Sequence, residues 1–302
     1  MSAAVTIRLP YIIGGRAISH ILTHFLLDHS KGLPAEIEFS FGKVQEIEPE
    51  GITFLSNTFH WLEEHGSKSR LVDIYLNSPA IRHLESAQFF EQHVGDGIGA
   101  SADRIEWTLP LYPVRTSNSH AWVDCVLAPW LISRTGLQSD DLYLLQASML
   151  ELFNNITEHA KLEIGSTYAQ IEKNYDGKLV IQISIADYGV GIPETVRIVA
   201  PDKVDDYDAI VEASRFGVSS KNRSGPKGAG LDQLLQSVVS QANGVVKIYS
   251  AQGIAEFSQK NNGIFAVRPF SDVGFCPGTT ISLSIPVDGL RTDGETGEIV
   301  LW

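Results

Sequence analysis

Cysteine is scarce in this sequence of 302 residues, which contains only Cys125 and Cys276. The two lie far apart and belong to no CxxC pair, so the sequence excludes a disulfide-rich scaffold and a cysteine-based zinc site. This usage predicts a protein of a reducing compartment, the cytoplasm.

Long apolar runs are also lacking. The longest apolar stretch, around residues 123–132, is interrupted by Asp124 and Pro129 and is far shorter than the ~20 residues of a membrane span. Near the N-terminus, Arg8, Pro10 and Arg16 interrupt every candidate apolar core of a signal peptide. The sequence therefore predicts a soluble protein that is not secreted and has no membrane partner.

Basic side chains are too few to balance the acidic ones, since 23 Lys and Arg face 36 Asp and Glu for a net charge of -13. Such a charge repels nucleic acids and anionic membrane surfaces, so nucleic-acid binding is disfavoured. With 43% hydrophobic residues and no low-complexity tract, the chain is predicted to fold. Its length suggests about two domains.

The N-terminal third shows two strand–helix repeats. Residues 35–41 (AEIEFSF) alternate polar and apolar side chains as in a strand, and apolar residues at 52, 55, 59 and 62 then form the stripe of an amphipathic helix. Residues 70–76 (RLVDIYL) and 78–92 (SPAIRHLESAQFFEQ) repeat the order. Between about 95 and 134 the periodicity fades. We therefore predict an α/β domain at 1–99, a connecting segment at 100–135 and a second domain at 136–302.

The second domain is predicted to open with a helix from Ser139 to about Leu162. A hairpin follows, formed by 166–175 (STYAQIEKNY) and 178–188 (KLVIQISIADY), and later strands are indicated at 245–251, 254–259, 264–270 and 279–286. Residues 230–242 (GLDQLLQSVVSQA) have helical spacing. Strands and helices thus mix in both halves, which predicts an α/β (α+β) protein.

Three clusters of chemically useful residues follow one another in this half. In ELFNNITEH, Glu151 and Asn155 are four apart and project from one helix face. In ADYGVGI, an aspartate ends an apolar strand before two glycines, and in SSKNRSGPKGAGL, three cations precede glycines at a helix start, where backbone N–H groups can bind phosphate. The second and third clusters supply Asp187, Gly189, Gly191, Lys221, Arg223, Lys227, Gly228 and Gly230.

These clusters resemble the motifs of the GHKL, or Bergerat-fold, ATPases, the group of DNA gyrase, heat-shock chaperone ATPases, histidine kinases and mismatch-repair ATPases. ELFNNITEH is similar to the N box, ADYGVGI to the D-x-G-x-G box, KGAGL to the second glycine box and PGTTISLSIP to the closing strand. The resemblance covers about residues 136–290. It implies an α/β sandwich with helices on one face of a mixed sheet, and ATP with Mg²⁺ as cofactors.

The resemblance also implies roles for single residues. Asp187 would accept a hydrogen bond from the adenine amino group, with Thr279 supporting it through water, and Asn155 would hold Mg²⁺ through its amide oxygen. Glu151 would orient or deprotonate the attacking nucleophile. Residues 193–227 would form a lid over the nucleotide. The remaining implied nucleotide contacts are Gly189, Gly191, Ile192, Lys221, Lys227, Gly228, Gly230 and Leu231.

Ordinary structural explanations for these residues stay open. Asn155 and Glu151 also fit as plain polar helix residues, the glycines fit as turn and capping glycines, and Lys221 and Arg223 fit as loop charges.

Residues 36–66 (EIEFSFGKVQEIEPEGITFLSNTFHWLEEHG) resemble the strand–loop–helix of STAS domains, the anti-anti-sigma modules of partner switching. The phosphorylatable members carry a serine just before the helix, whereas this chain has Glu48, Pro49 and Glu50 before Gly51. The resemblance implies that this loop is not switched by phosphorylation and that its acidic side chains imitate a permanently charged state.

Three functions remain in view. We favour a regulatory protein that hydrolyses ATP and acts on an unidentified protein partner, because Glu151 provides a carboxylate for the chemistry. The alternatives are an interaction module that binds ATP without hydrolysis and a serine/threonine protein kinase of the anti-sigma type. No H-[DE]-x-x-x-P segment precedes the ATP-binding region, which disfavours a full histidine kinase. A homodimer is left open.

Overall fold

The computed structural model describes residues 5–30, 32–95, 98, 107–157, 164–203, 205–215, 230–260, 263–268 and 274–292. Within these residues the strands are β1 (Val5–Arg8), β2 (Ile12–Ile13), β3 (Glu36–Ser40), β4 (Glu46–Ile47), β5 (Lys68–Val72), β6 (Thr108–Arg115), β7 (Ile164–Lys173), β8 (Leu179–Asp187), β9 (Val245–Ala251), β10 (Gly253–Lys260), β11 (Gly263–Val267) and β12 (Cys276–Pro286). The helices are α1 (Gly15–Asp28), α2 (Pro49–Glu64), α3 (Pro79–Ser86), α4 (Phe89–Val94), α5 (Ser119–Trp122), α6 (Ala128–Thr135), α7 (Ser139–Asn155), α8 (Ile192–Val199), α9 (Asp206–Ala213), α10 (Gly230–Leu235) and α11 (Val287–Leu290).

The N-terminal elements form a three-stranded parallel sheet in the order β1–β3–β5, with β2 and β4 as a separate parallel pair. Ile37 and Phe39 of β3 are buried, as the alternation predicts, and pair with β1 on one side and β5 on the other. The predicted second helix is divided into α3 and α4 at Gln88, whose φ of 57° lies in the left-handed region. The alternating strands and helices of this region are confirmed.

The C-terminal elements form a seven-stranded sheet in the order β11–β10–β9–β12–β8–β7–β6. The expectation of a mixed sheet is wrong for the described strands, because each of the six neighbouring pairs is antiparallel. The physical reason is the position of β12. The helical connection from β8 to β9 leaves those two strands parallel, and β12 lies between them and runs opposite to both.

Residues 107–135 differ from the irregular connection that the fading periodicity indicated. β6 pairs with β7 at the sheet edge, where Pro110 and Pro113 are tolerated since an edge strand has N–H groups that need no partner strand. Pro129 lies in α6, directly after a π-helical segment (Val123–Leu127), and π-type turns are among the places where a helix departs from its regular hydrogen-bond ladder. Trp122, Leu127 and Leu131 are buried in the core of the large sheet. The domain boundaries themselves stay a prediction.

Helices cover both faces of the seven-stranded sheet. One face presents Ile181, Ile183 and Ile185 of β8 to the core that α7 and α10 share. The other face presents Tyr168 and Tyr249 to the core that includes α2 and the parallel sheet. α2 therefore lies between the two sheets, and its residues 50–59 are all buried.

Candidate functional site

The Asp187 carboxyl lies at the end of β8, where the sequence predicted an acidic ligand. The side chain is 8% exposed and pairs in register with Thr279 of β12. Its Oδ1 accepts a hydrogen bond of 2.9 Å from the Gly189 N–H. Burial raises the pKa of the Asp187 carboxyl to about 7, against the opposing hydrogen bonds from the N–H groups of Gly189 and Thr279. The site thus contains a buried acid that titrates near neutral pH.

Two glycines bring the backbone close to this carboxyl. Gly278 has a φ of +63° at the irregularity in β12 between Cys276 and Thr279, and a Cβ there would lie 2.2 Å from the Asp187 carbonyl oxygen. Gly191 has a φ of +82°, and a Cβ there would lie 2.8 Å from the Ser250 Oγ. Any larger residue would be strained at either position and would collide with its neighbours. Gly278 and Gly191 therefore allow a close approach of backbone segments that no larger residue would permit.

Ser250 joins the three segments of the site, although the sequence analysis missed it. Its hydroxyl donates to the Gly278 carbonyl at 2.8 Å, accepts from the Ile192 N–H at 2.9 Å and lies 3.0 Å from the Thr279 Oγ1. The available signal was weak, a serine near the end of the strand VVKIYSA. The Thr279 hydroxyl thus has a protein partner, and its water-mediated contact with adenine stays a prediction.

The C-terminal end of α7 lies near the end of β8. A Cβ on Gly165 of β7 would lie 2.7 Å from the Ile156 Cδ1 and 3.7 Å from the Ala186 carbonyl oxygen, so little separates the residue after α7 from β8. Glu151 and Asn155 are half-buried, as the predicted shared face requires. The helix and the strand-end acid therefore meet at one end of the sheet.

The start of α10 packs directly on Glu151. A Cβ on Gly230 would lie 2.2 Å from the Glu151 Cγ, so only glycine lets the two helices approach this closely. The Asn154 amide donates to the Glu151 Oε2 at 3.4 Å. Leu231, which was predicted to contact the nucleotide, packs in the apolar core and is 8% exposed. The structure thus brings Glu151 into contact with α10.

The first half of the predicted lid is helical and packed. α8 and α9 occupy residues 192–213, and a Cβ on Gly253 of β10 would lie 2.7 Å from the Cδ1 of the buried Ile210. The first half of residues 193–227 is thus helical, and its role as a lid over the nucleotide stays a prediction. Residues 216–229 lie outside the described residues, so the phosphate contacts expected from Lys221, Arg223, Lys227 and Gly228 stay predictions.

Acidic residues of the predicted lid have arginine partners in the described structure. Asp206 pairs with Arg197 of α8, and Asp205 lies 2.6 Å from the Arg268 guanidinium. Arg268 also stacks over the Tyr207 ring, 4.4 Å from its centroid. These residues line an open cavity of about 450 Å³. Asp205 and Asp206 are thus paired with arginines within the described residues.

The acidic residues around the start of α2 differ in exposure, since Glu48 before the helix is exposed and Glu50 in its first turn is buried. Glu50 is 5% exposed and accepts a hydrogen bond of 2.7 Å from the Tyr249 hydroxyl. The Lys247 ammonium lies 3.4 Å from the same carboxylate. Burial, with Glu50 as a second cause, raises the pKa of the Glu48 carboxyl. Glu50 therefore attaches the first turn of α2 to the seven-stranded sheet.

Comparisons with known proteins add no family to these observations. No model of a protein family matches the sequence, and no curated protein matches it either. Among the residues that the structure describes, no helix combines the length and apolar character needed to cross a bilayer. Within the same residues, no three His, Cys, Asp or Glu side chains converge as a metal site. The predicted Mg²⁺ therefore depends on the Asn155 amide oxygen together with phosphate oxygens.

Proposed function

We propose that this chain is a Mg²⁺-dependent ATP-binding regulatory protein of the GHKL type, which hydrolyses ATP slowly and controls a protein partner. The observation that carries the proposal is the Asp187 carboxyl. It is buried, and within the described residues the groups that lower its pKa are the N–H groups of Gly189 and Thr279 and no cation. Burial of an acid without a cation destabilises the folded protein, so such a group with a displaced pKa favours a binding role.

The surroundings of Asp187 suit adenine. The carboxylate can accept a hydrogen bond from the exocyclic amino group, whereas guanine would oppose it with a carbonyl oxygen. Gly278 and Gly191 let the segments around this carboxyl pack closely, since a Cβ at Gly278 would collide with Asp187 and one at Gly191 with Ser250. The hydrogen-bonding capacity of the carboxylate therefore favours adenine over guanine as the ligand.

The residues at the end of α7 suit the phosphates. Asn155 offers an amide oxygen to Mg²⁺, a cation that prefers oxygen ligands and neutralises phosphate charge when bound. Glu151 lies against Gly230 of α10, and its carboxylate would orient a water molecule. Both assignments require the nucleotide to extend from Asp187 toward α10.

Calorimetric titration of the protein with ATP and Mg²⁺ tests the proposal. Wild type is expected to bind, and Asp187→Asn is expected to weaken binding at least tenfold, or about 1.4 kcal/mol. Asp176→Asn makes the same chemical change in an exposed hairpin turn and serves as the control. Failure of wild type to bind ATP, or unchanged affinity in Asp187→Asn, would overturn the adenine site.

A second function, ATP-dependent interaction without hydrolysis, is favoured by the position of α2 between the two sheets, which links the N-terminal region to the ATP site without any chemistry. Phosphate release separates the two. A slow ATPase is expected to release phosphate, and Glu151→Gln is expected to reduce the rate at least tenfold while leaving ATP affinity within twofold. If wild type binds ATP but releases no phosphate, the result supports the interaction module. If the γ-phosphate of ATP is transferred to a serine or threonine of a partner protein, the result supports the kinase.

A further inference from the structure

One side chain of the N-terminal region reaches the backbone of the candidate adenine site. Asn57, in the middle of α2, is fully buried. Its amide nitrogen donates one hydrogen bond of 2.8 Å to the carbonyl oxygen of Asp187 and another of 2.8 Å to that of Pro277. Both protons of the amide are therefore used on two strands of the other sheet.

The two carbonyl groups lie on either side of the point where the site is most constrained. Asp187 ends β8, and Pro277 lies in the irregular start of β12, immediately before the left-handed Gly278. Asn57 thus bridges the two strands beside the Asp187 carboxyl. A side chain that holds both carbonyls limits how the carboxyl can be displaced by movement of either strand.

The third polar atom of Asn57 supports a role beyond packing. Its Oδ1 is buried and has no hydrogen-bond partner among the described residues. Leaving such an oxygen unpaired destabilises the folded state, and leucine, with nearly the same shape, would avoid that penalty. Keeping asparagine at this position is therefore understandable if the two bonds to the strand ends are needed.

The neighbouring polar contacts of α2 show which part of the helix serves the site. The Thr53 Oγ1 lies 2.5 Å from the Ser184 Oγ, one helical turn away from Asn57 and three residues before Asp187 on β8. Glu50 binds Tyr249 one turn earlier still. α2 is thus attached along its length, and Asn57 is the contact at the strand end.

We infer that Asn57 is a positioning residue of the nucleotide site, through which the N-terminal region sets the selectivity of the protein for adenine. The inference rests on the proposed ATP-binding function. It deepens that function because selectivity then depends on contact between the two regions. Any partner that moves α2 would change nucleotide affinity through this side chain.

The test compares Asn57→Leu with Thr53→Val, which removes a buried hydrogen bond of the same helix away from Asp187. ATP, GTP and inorganic tripolyphosphate are titrated into the full chain by calorimetry with Mg²⁺. Asn57→Leu is expected to weaken ATP binding at least tenfold and to reduce the preference for ATP over GTP by a similar factor. Tripolyphosphate affinity is expected to stay within twofold, and Thr53→Val is expected to keep the wild-type preference.

Each outcome has one meaning. If a folded Asn57→Leu protein keeps the wild-type preference for ATP over GTP, the inference alone is overturned. An equal loss of affinity for ATP and for tripolyphosphate also overturns it, because a general structural defect would cause such a loss. Absence of ATP binding in wild type overturns the proposed function and the inference together. If Asn57→Leu does not fold, Asn57→Ser, which keeps one donor, decides: an intermediate preference supports the positioning role and a wild-type preference overturns it.

Discussion

The helices α2 and α7 cover opposite faces of the same sheet in different ways. α7 buries an apolar stripe, which includes Leu145, Met149 and Phe153, and leaves residues such as Tyr143 66% exposed. α2 is buried almost all round, and polar side chains on it bond to the sheet. Apolar packing holds α7 on the sheet, and such packing accommodates modest changes in side-chain shape. α2 also depends on paired hydrogen bonds, and the loss of one partner leaves the other buried group unpaired. The two faces should therefore respond differently to pH and to substitution.

The largest expected effect concerns Asp187 without nucleotide. The folded-state pKa of about 7 exceeds the unfolded value of 3.8, so the folded protein binds the extra proton between these pH values. The free energy of unfolding should fall as pH rises from 4 to 7, by about 4 kcal/mol, and stay low above it. Asp187→Asn should remove this decline, as measured by urea unfolding at pH 5 and pH 8. The same slope in wild type and variant would refute the assignment, with Asp176→Asn as the control.

His93, on the α2 side, should show the opposite dependence. Its Nε2 lies 2.9 Å from the Ser56 Oγ, and burial, with His60 as a second cause, lowers its pKa from 6.5 to about 3. The unfolded state therefore binds the proton first, and stability should fall as pH falls from 6.5, by about 3 kcal/mol at pH 4. His93→Gln should flatten this loss in urea unfolding at pH 7 and pH 4, whereas the exposed His120→Gln should not. Equal acid sensitivity of the two variants would contradict the prediction.

Two buried hydroxyl pairs, one on each helix, test the comparison directly. Thr53→Val should cost about 1–2 kcal/mol, because it leaves the buried Ser184 hydroxyl without its partner. Ser148→Ala should cost less, since the Ser237 hydroxyl, 3.0 Å from that of Ser148, still donates to the Leu234 carbonyl. Unfolding in urea at pH 7 measures both. A larger loss for Ser148→Ala would show that α2 is not the more sensitive helix.

The smallest effect on the free energy of unfolding is expected for an ion pair that belongs to neither face of the seven-stranded sheet. Lys178 and Asp288 form an ion pair of 3.3 Å, and their side chains are 64% and 63% exposed. Water and salt screen such a pair, so Lys178→Met should change the free energy of unfolding by less than about 0.5 kcal/mol. A thermal melt at low and at high salt checks this. A loss comparable to that of Thr53→Val would mean that surface charge contributes more than the contacts of α2.

Much of the candidate site could be predicted because its signals are local. An apolar strand that ends in Asp187 before two glycines, and a helix with Glu151 and Asn155 on one face, are visible in short stretches of sequence. Ser250 could not be found in this way, since its three contacts come from segments far apart in the chain. The phosphate contacts predicted for Lys221, Arg223 and Lys227 stay predictions, because residues 216–229 lie outside the described structure.

The sequence by itself determined β3, α2, α7, β7, β8 and the strand-end acid, since hydrophobic periodicity and turn residues act over a few residues, but it did not indicate β6, α8 or α9. Only the tertiary structure decided what covers the second face of the large sheet. Ser184 and Thr280 alternate with isoleucines, a pattern typical of a strand with one face in water, yet both are fully buried. A buried polar residue with a partner and an exposed one look alike in sequence, and Asn57 acquires its partners only when α2 packs on the sheet.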